Sequence, residues 1–382
     1  MHISKFTLRW IILLSALSVV GAAWSVVRAQ SPAKDQSSNA AKSGHTYSPS
    51  KLDVPPRTAT GGYPFSPYLD AEIADPDVHR VLYADENVML LEVSNPPGLD
   101  VHMHGHPYAT VSGQDTGAGG GNPNPAAARP TPAGNGNELN DPKADPTSEY
   151  NNMGSGRGEP PKGVPFLSCS TSAPQAPHKP INHGNVPLHF YRMEFRRLDG
   201  DDIQTHWKEW YPQMTKPVTP VKDLVPGPAL GPNFSEKWPY PIVYDSVKAA
   251  PNNSQLLYED GKLRFIEVTI RPGETTPMYG DPYPAVLAFN TVSDPATVKE
   301  TNLDPNSELN GQGSGFGRAP NVHDMKVPTC MTTAPRAPHK IYNASTAPLH
   351  YYRIEYKRID GEDFKTNWQK WYPWMMYMKY MR

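Results

Sequence analysis

Apolar residues fall in short runs separated by turn-forming residues, the pattern of strands rather than of long helices. Val88–Val93 and Leu263–Ile270 mix alternating with continuous apolar positions, while His189–Phe195 and His350–Tyr356 alternate and are rich in aromatics. A Pro-Gly pair, Pro97-Gly98 and later Pro272-Gly273, follows the first strand of each set and predicts a turn. Beyond Asp199-Gly200 and Asp360-Gly361 a short amphipathic helix is expected, with Trp207, Trp210 and Tyr211 on one face of the first. Many short strands and few helices predict an all-β sandwich or jelly-roll barrel.

The pattern occurs twice. Leu82-Tyr83-Ala84-Asp85 returns as Leu257-Tyr258-Glu259-Asp260, and Ala176-Pro177-His178-Lys179 as Ala337-Pro338-His339-Lys340. Pro187-Leu188-His189-Phe190-Tyr191-Arg192 returns as Pro348-Leu349-His350-Tyr351-Tyr352-Arg353, and both copies close on a Trp-x-x-Trp-Tyr-Pro segment. Chance does not produce this many ordered matches, so the chain carries an internal duplication. The copies span 61–212 and 239–382, joined by a Pro-rich linker at 213–238. Thr116–Asn137 is a Gly/Asn/Pro/Ala insertion in the first copy alone, too poor in large apolar residues to fold by itself. Ser148–Gly158 and Ser307–Gly317 both carry Gly-Ser-Gly but lack the Gly-Lys-Ser/Thr ending of a nucleotide loop, and read as sharp turns.

Composition adds two constraints. With 44 Pro and 29 Gly in 382 residues and only 37% hydrophobic residues, short strands, turns and long ordered loops are favoured over a helical bundle. The 36 Lys+Arg against 38 Asp+Glu leave no basic stripe, which argues against a nucleic-acid partner. At the N-terminus Lys5 and Arg9 precede the apolar run Trp10–Val27, and Val27-Arg28-Ala29 offers small residues for cleavage. Residues 1–29 are therefore expected to be a signal peptide, followed by a disordered linker at 30–60, making the protein periplasmic or secreted. The alternative is an uncleaved membrane anchor.

Candidate chemistry concentrates in Pro97-Gly98-Leu99-Asp100-Val101-His102-Met103-His104-Gly105-His106-Pro107-Tyr108. If the segment is a strand, His102, His104 and His106 share a face, and a distant imidazole such as His178 could complete a metal site. The other reading is a polar barrel mouth whose histidines meet solvent or an organic ligand. His183, His189 and His350 are expected to pack or hydrogen-bond.

These segments resemble the cupin superfamily, whose first motif runs Gly-x5-His-x-His-x3–4-Glu-x6-Gly and whose second runs Gly-x5-Pro-x-Gly-x2-His-x3-Asn. His102-x-His104 is matched to the first pair and His178-x3-Asn182 to the end of the second. The resemblance covers both copies and implies two tandem cupin-like jelly-roll barrels, a bicupin. It implies a divalent metal, iron, manganese, zinc or nickel, on His102, His104 and His178, with His106 as a possible further nitrogen. The motif glutamate is missing: Tyr108 or Ala109 stands there. In the second copy the three histidines become Pro277, Tyr279 and Asp281, with only His339 and Asn343 kept, so that site is expected to be lost.

Cys169 and Cys330 hold equivalent positions and could pair across a pseudo-twofold axis; two free thiols are the favoured expectation, because equivalent residues meet only near such an axis. The aromatic endings, with Met375, Met376, Met378 and Met381 after the second, suggest a homo-oligomer interface or a carbohydrate-stacking platform. Three functions follow. One is a metal-dependent dioxygenase or lyase acting on a small molecule, with Tyr108 orienting substrate or donating a proton. The others are a small-molecule-binding bicupin and a structural envelope protein.

Overall fold

The computed structural model describes residues 63–359 apart from 86, 116–138, 141–142, 149–150, 152–153, 159, 165, 184–186, 197–232, 292–296, 312 and 321–324. All lie in one compact unit, Ala41–Arg382. The expected signal peptide, the 30–60 stretch, the insertion at 116–137, most of the linker, the two expected amphipathic helices and the aromatic endings fall outside the described residues.

The repeated Leu-Tyr-x-Asp builds a hairpin. In the first copy β1 (His79–Ala84) turns into β2 (Val88–Asn95) around Asp85, whose Oδ1 accepts from the backbone N–H of Asn87 and Val88. Tyr83 donates to the other oxygen at 2.9 Å. Asp260 does the same for Lys262, Leu263 and Tyr258 in the second copy, between β11 (Ser254–Glu259) and β12 (Leu263–Ile270). The Pro-Gly turns are equally matched. Gly98 and Gly273 take φ of 71° and 73°, a region only glycine enters cheaply, and donate their N–H to Asn182 and Asn343.

The first copy continues with β3 (His104–His106), β4 (Ala109–Gln114), β5 (Leu139–Asn140), β6 (Gly154–Gly158), β7 (Ser168–Ser172), β8 (Gln175–His178), β9 (Ile181–Asn182) and β10 (Leu188–Phe195). The second continues with β13 (Tyr279–Asp281), β14 (Ala285–Phe289), β15 (Val298–Asn302), β16 (Gly313–Gly317), β17 (Thr329–Thr333), β18 (Arg336–Asn343) and β19 (Leu349–Tyr356). Each copy forms a six-stranded sheet, β1-β2-β10-β4-β7-β6 and β11-β12-β19-β14-β17-β16, in the same order. Smaller sheets accompany them: β3-β8 and β5-β9 in the first copy, β13-β18-β15 in the second. Every paired ladder is antiparallel, and the sheet order crosses over as in a jelly roll. The Gly-Ser-Gly segments are not turns, as the sequence suggested, but the edge strands β6 and β16, which lie against each other.

The two large sheets pack face to face. Leu90, Val111, Met193 and Phe195 of the first share one buried core with Phe265, Val286, Tyr352 and Ile354 of the second. Met89, Leu91 and Val93 face the other way, into the first barrel. Burial on both faces is why β2 and β12 read as continuous apolar runs instead of clean alternation. This packing corrects the thiol expectation: Cys169 on β7 and Cys330 on β17 form a disulfide, their Cα atoms 6.3 Å apart. Strand β7 lies beside β17 where the sheets meet, so equivalent residues coincide there.

Candidate metal centre

The small sheet β3-β8 faces the interior of the first barrel and carries three histidines. Strand β3 pairs with β8 through His104↔His178 and His106↔Gln175, with a bulge between. His104 and His106 are two apart on one strand, so their rings share a face. A third ring, His79, comes from the start of β1. His79, His104 and His106 are all buried and present ligand atoms within 4.8 Å of one another. Ring centroids stand 4.5 Å apart for His79 and His104, and 5.3 Å apart for His79 and His106 and for His104 and His106. His178 joins at the edge, 4.9 Å from His104 and 5.3 Å from His106.

Each ring is held by its Nδ1. His79 donates to the Asp75 carbonyl at 3.2 Å, His104 to the His102 carbonyl at 2.8 Å and His178 to the Ala176 carbonyl at 2.9 Å. His106 donates to Glu194 Oε1 at 3.0 Å. Since a carbonyl oxygen only accepts, these bonds put the proton on Nδ1 and leave Nε2 as the lone-pair nitrogen. Burial drives His79 and His106 well below the ordinary histidine range and His178 down to about 3, so these rings are neutral at physiological pH. Neutral imidazoles in one tautomer, clustered and water-poor, are a donor set for a divalent transition metal.

Charge lies behind the rings. Asp75, at the end of the short helix Ala71–Ala74, has its carboxylate 3.3 Å from His102 Nδ1 and 3.7 Å from His104 Nδ1. Burial raises it to about 6 against the pull of His102. Glu194 also accepts from Arg192 Nε at 2.8 Å, and Arg192 reaches the Gln175 side chain at 3.1 Å. A phenol closes one side: Tyr63 donates to the Gln175 carbonyl at 2.6 Å, passing so close that a Cβ on Gly105 would sit 2.0 Å from its oxygen. Trp238 repeats the bond to Arg336 over Gly280 in the second barrel.

The structure does not bring His102 into this group. Its side chain is 72% exposed, because β3 starts at His104 and the alternation that would align position 102 does not extend that far back. His104, His106 and His178 are brought together. Tyr108 is buried, and the charges around it are Arg196, Asp70, Glu194 and Glu72; burial above all raises its phenol. His183 is exposed. His189 lies buried between Asp115 and Glu92, and His350 between Asn290 and Glu267. Sequence reasoning missed His79. Its signal was a difference between the copies, since the position three before Leu82-Tyr83 is histidine in the first and Ser254 in the second.

In the second barrel the corresponding side chains are Ser254, Tyr279, Asp281 and His339. Arg353 pairs there with Asp281, and its Nε lies 2.9 Å from Glu355. Arg264 bonds Asp245 at 2.6 Å and also pairs with Glu355. Guanidinium groups thus balance the carboxylates inside this barrel. Of the four rings only His339 remains, 4.7 Å from Tyr279.

No protein-family model and no curated protein matches the chain. Among solved structures, a cupin domain from Bordetella pertussis is similar at 13% identity, covering 27% of this chain and 90% of its own, with a TM-score of 0.19. AerE from Microcystis aeruginosa is similar at 8% identity over 73% of this chain and 97% of its own, with a TM-score of 0.21. A single-residue variant of oxalate decarboxylase from Bacillus subtilis is similar at 12% identity over 74% and 73%, with a TM-score of 0.19. The fold assignment rests instead on the strand order, its repetition and the donor histidines. They define a doubled antiparallel barrel whose first copy, among the described residues, gathers a histidine cluster able to hold a metal ion. The chain is a duplicated all-β protein whose two copies share one jelly-roll strand order.

Proposed function

We propose that this protein is exported and binds one divalent transition metal in its first barrel, in the service of dioxygenase or lyase chemistry on a small molecule. The observation that carries the reading is the buried group His79, His104 and His106, each ring fixed through Nδ1. A bound ion would supply Lewis acidity toward a substrate oxygen, or one-electron chemistry if redox-active. The protein's own part is to keep the imidazoles neutral by burial, to hold their protons on Nδ1, and to exclude water. The Cys169–Cys330 bond supports export, since such bonds persist in oxidising compartments. The second barrel is proposed as scaffold, and self-association through the aromatic endings remains part of the proposal.

Tyr108 favours a second reading, a barrel that captures a small ligand without transforming it. Burial above all, and then the carboxylates of Asp70, Glu194 and Glu72, raise its phenol against the pull of Arg196, which makes it a poor proton donor. Elemental analysis of the purified full chain tests the primary reading. About one equivalent of transition metal is expected, lost in His104→Ala. A folded native protein that takes up no metal defeats it, and ligand binding by such a protein would establish the second reading.

A further inference from the structure

We infer that His79 adds its nitrogen to those of His104, His106 and the edge ring His178 where a carboxylate would complete the ligand set, so the centre takes a nitrogen-preferring divalent ion (nickel, copper, zinc or iron) in place of manganese or magnesium. This rests on the metal-centre reading above and goes beyond it in naming the donor and the ion class.

The placement of nitrogen and oxygen around the site carries the argument. His79 comes from β1, outside both motif segments, yet its ring is 4.5 Å from His104, 5.3 Å from His106 and 3% exposed. Its Nδ1 bond to the Asp75 carbonyl leaves Nε2 as the lone-pair nitrogen, and a ring nitrogen of His79 lies within 4.8 Å of the ligand atoms of His104 and His106. Two carboxylates are close, and both are on the wrong side to ligate. Asp75 Oδ2 lies 3.7 Å from His104 Nδ1, and Glu194 Oε1 lies 3.0 Å from His106 Nδ1. A carboxylate at Nδ1 is across the ring from Nε2, and among the described residues the clustered ligand atoms are imidazole only. Imidazole suits zinc, copper, iron and nickel, while manganese and magnesium favour carboxylate and water oxygens. The second barrel supplies a comparison: it has Ser254 at the position of His79, Ala250 at that of Asp75, and Tyr279 and Asp281 at those of His104 and His106. His79 is thus confined to the copy that keeps the other donors.

The test uses the purified full chain, stripped with chelator and titrated separately with zinc, nickel and manganese against a competing indicator. X-ray absorption of the zinc-loaded native protein counts the ligands without any variant. Four imidazole nitrogens and no carboxylate oxygen are expected, with manganese held far more weakly than zinc. His79→Gln should weaken zinc by more than the roughly 10–100-fold that loss of an outer partner costs. His79→Glu should raise manganese affinity relative to zinc, a change that the general order of divalent affinities does not produce. A carboxylate oxygen in the native zinc shell, or manganese held as tightly as zinc, overturns the inference. So does a folded His79→Gln protein with native zinc affinity while His104→Ala loses zinc; that result leaves the parent reading standing. Native protein that binds none of the three ions overturns both.

Discussion

His106 donates its Nδ1 proton to Glu194 across 3.0 Å, joining the small sheet to the six-stranded sheet through the interior of the first barrel. Glu194 is fully buried and also accepts from Arg192 at 2.8 Å, so one carboxylate orients an imidazole and neutralises a guanidinium. Burial raises this acid while Arg192 pulls it down. Glu194→Gln keeps the shape but removes the charge. Metal affinity is expected to fall by roughly 10–100-fold, and the melting temperature to drop because Arg192 loses its counter-charge. Chelator competition and calorimetry on the same preparation read both. Unchanged affinity would show that Glu194 serves Arg192 alone.

Stability should peak near mildly acidic pH, because two sets of buried histidines titrate in opposite senses. His189, bonded to Asp115 at 2.9 Å and Glu92 at 3.1 Å, is raised to about 9; burial opposes the charge, and the two carboxylates prevail. Its folded value lies above the unfolded one of about 6.5. The stabilisation it gives is therefore complete below ~6.5 and lost as pH rises through about 9, a swing of ~3 kcal/mol at most. His178 runs the other way, held near 3 by burial, so its contribution is present above ~6.5 and lost as pH falls below that. Melting temperatures of chelated protein across pH 4–10 check this, and His189→Gln should flatten the alkaline limb. An alkaline limb that keeps its slope in the variant would assign it elsewhere.

The disulfide ties the barrels but touches no ligand. Replacing both Cys169 and Cys330 by serine should cost about 2–5 kcal/mol, since the bond closes a chain segment of 161 residues. Metal content should be unaffected, because the histidine group lies wholly within the first barrel. Denaturant melts of the double variant, with metal analysis alongside, separate the two effects. Loss of metal in a folded variant would mean that sheet-to-sheet packing positions β3.

Much of this was legible in the sequence. The duplication predicted matching sheets, and the hairpins at Asp85 and Asp260 follow directly from the repeated Leu-Tyr-x-Asp. The site was read two residues out of register. Counting five positions from Gly98, whose φ of 71° makes the turn, reaches His104 and His106, whereas strand alternation alone allows 102, 104 and 106 equally. Where a strand begins depends on its partner, here β8 pairing at His178, and no local pattern reports that. His79 was hidden for the same reason: it reaches the site through sheet closure from a segment without motif residues. The disulfide required knowing which faces pack, and burial of both faces erased the alternation that might have told.

His102 and His104 give the sharpest contrast between sequence alternation and structure. The two are separated by one residue, and ideal extended backbone would treat them alike. His104 has a side chain 1% exposed and stands among three other rings, whereas His102 is 72% exposed and meets Asp75 at 3.3 Å. His104→Ala removes a donor, opens space inside the barrel and should abolish stoichiometric metal. His102→Ala removes a solvent-facing ring and should change stability by no more than about 0.5 kcal/mol, with about one equivalent of metal retained. Its backbone carbonyl, the acceptor for His104 Nδ1 at 2.8 Å, survives the substitution, so the ligand tautomer is preserved. Metal analysis of the two variants side by side decides the register. If His102→Ala loses the ion and His104→Ala keeps it, the strand begins two residues earlier and the site must be rebuilt around the exposed ring.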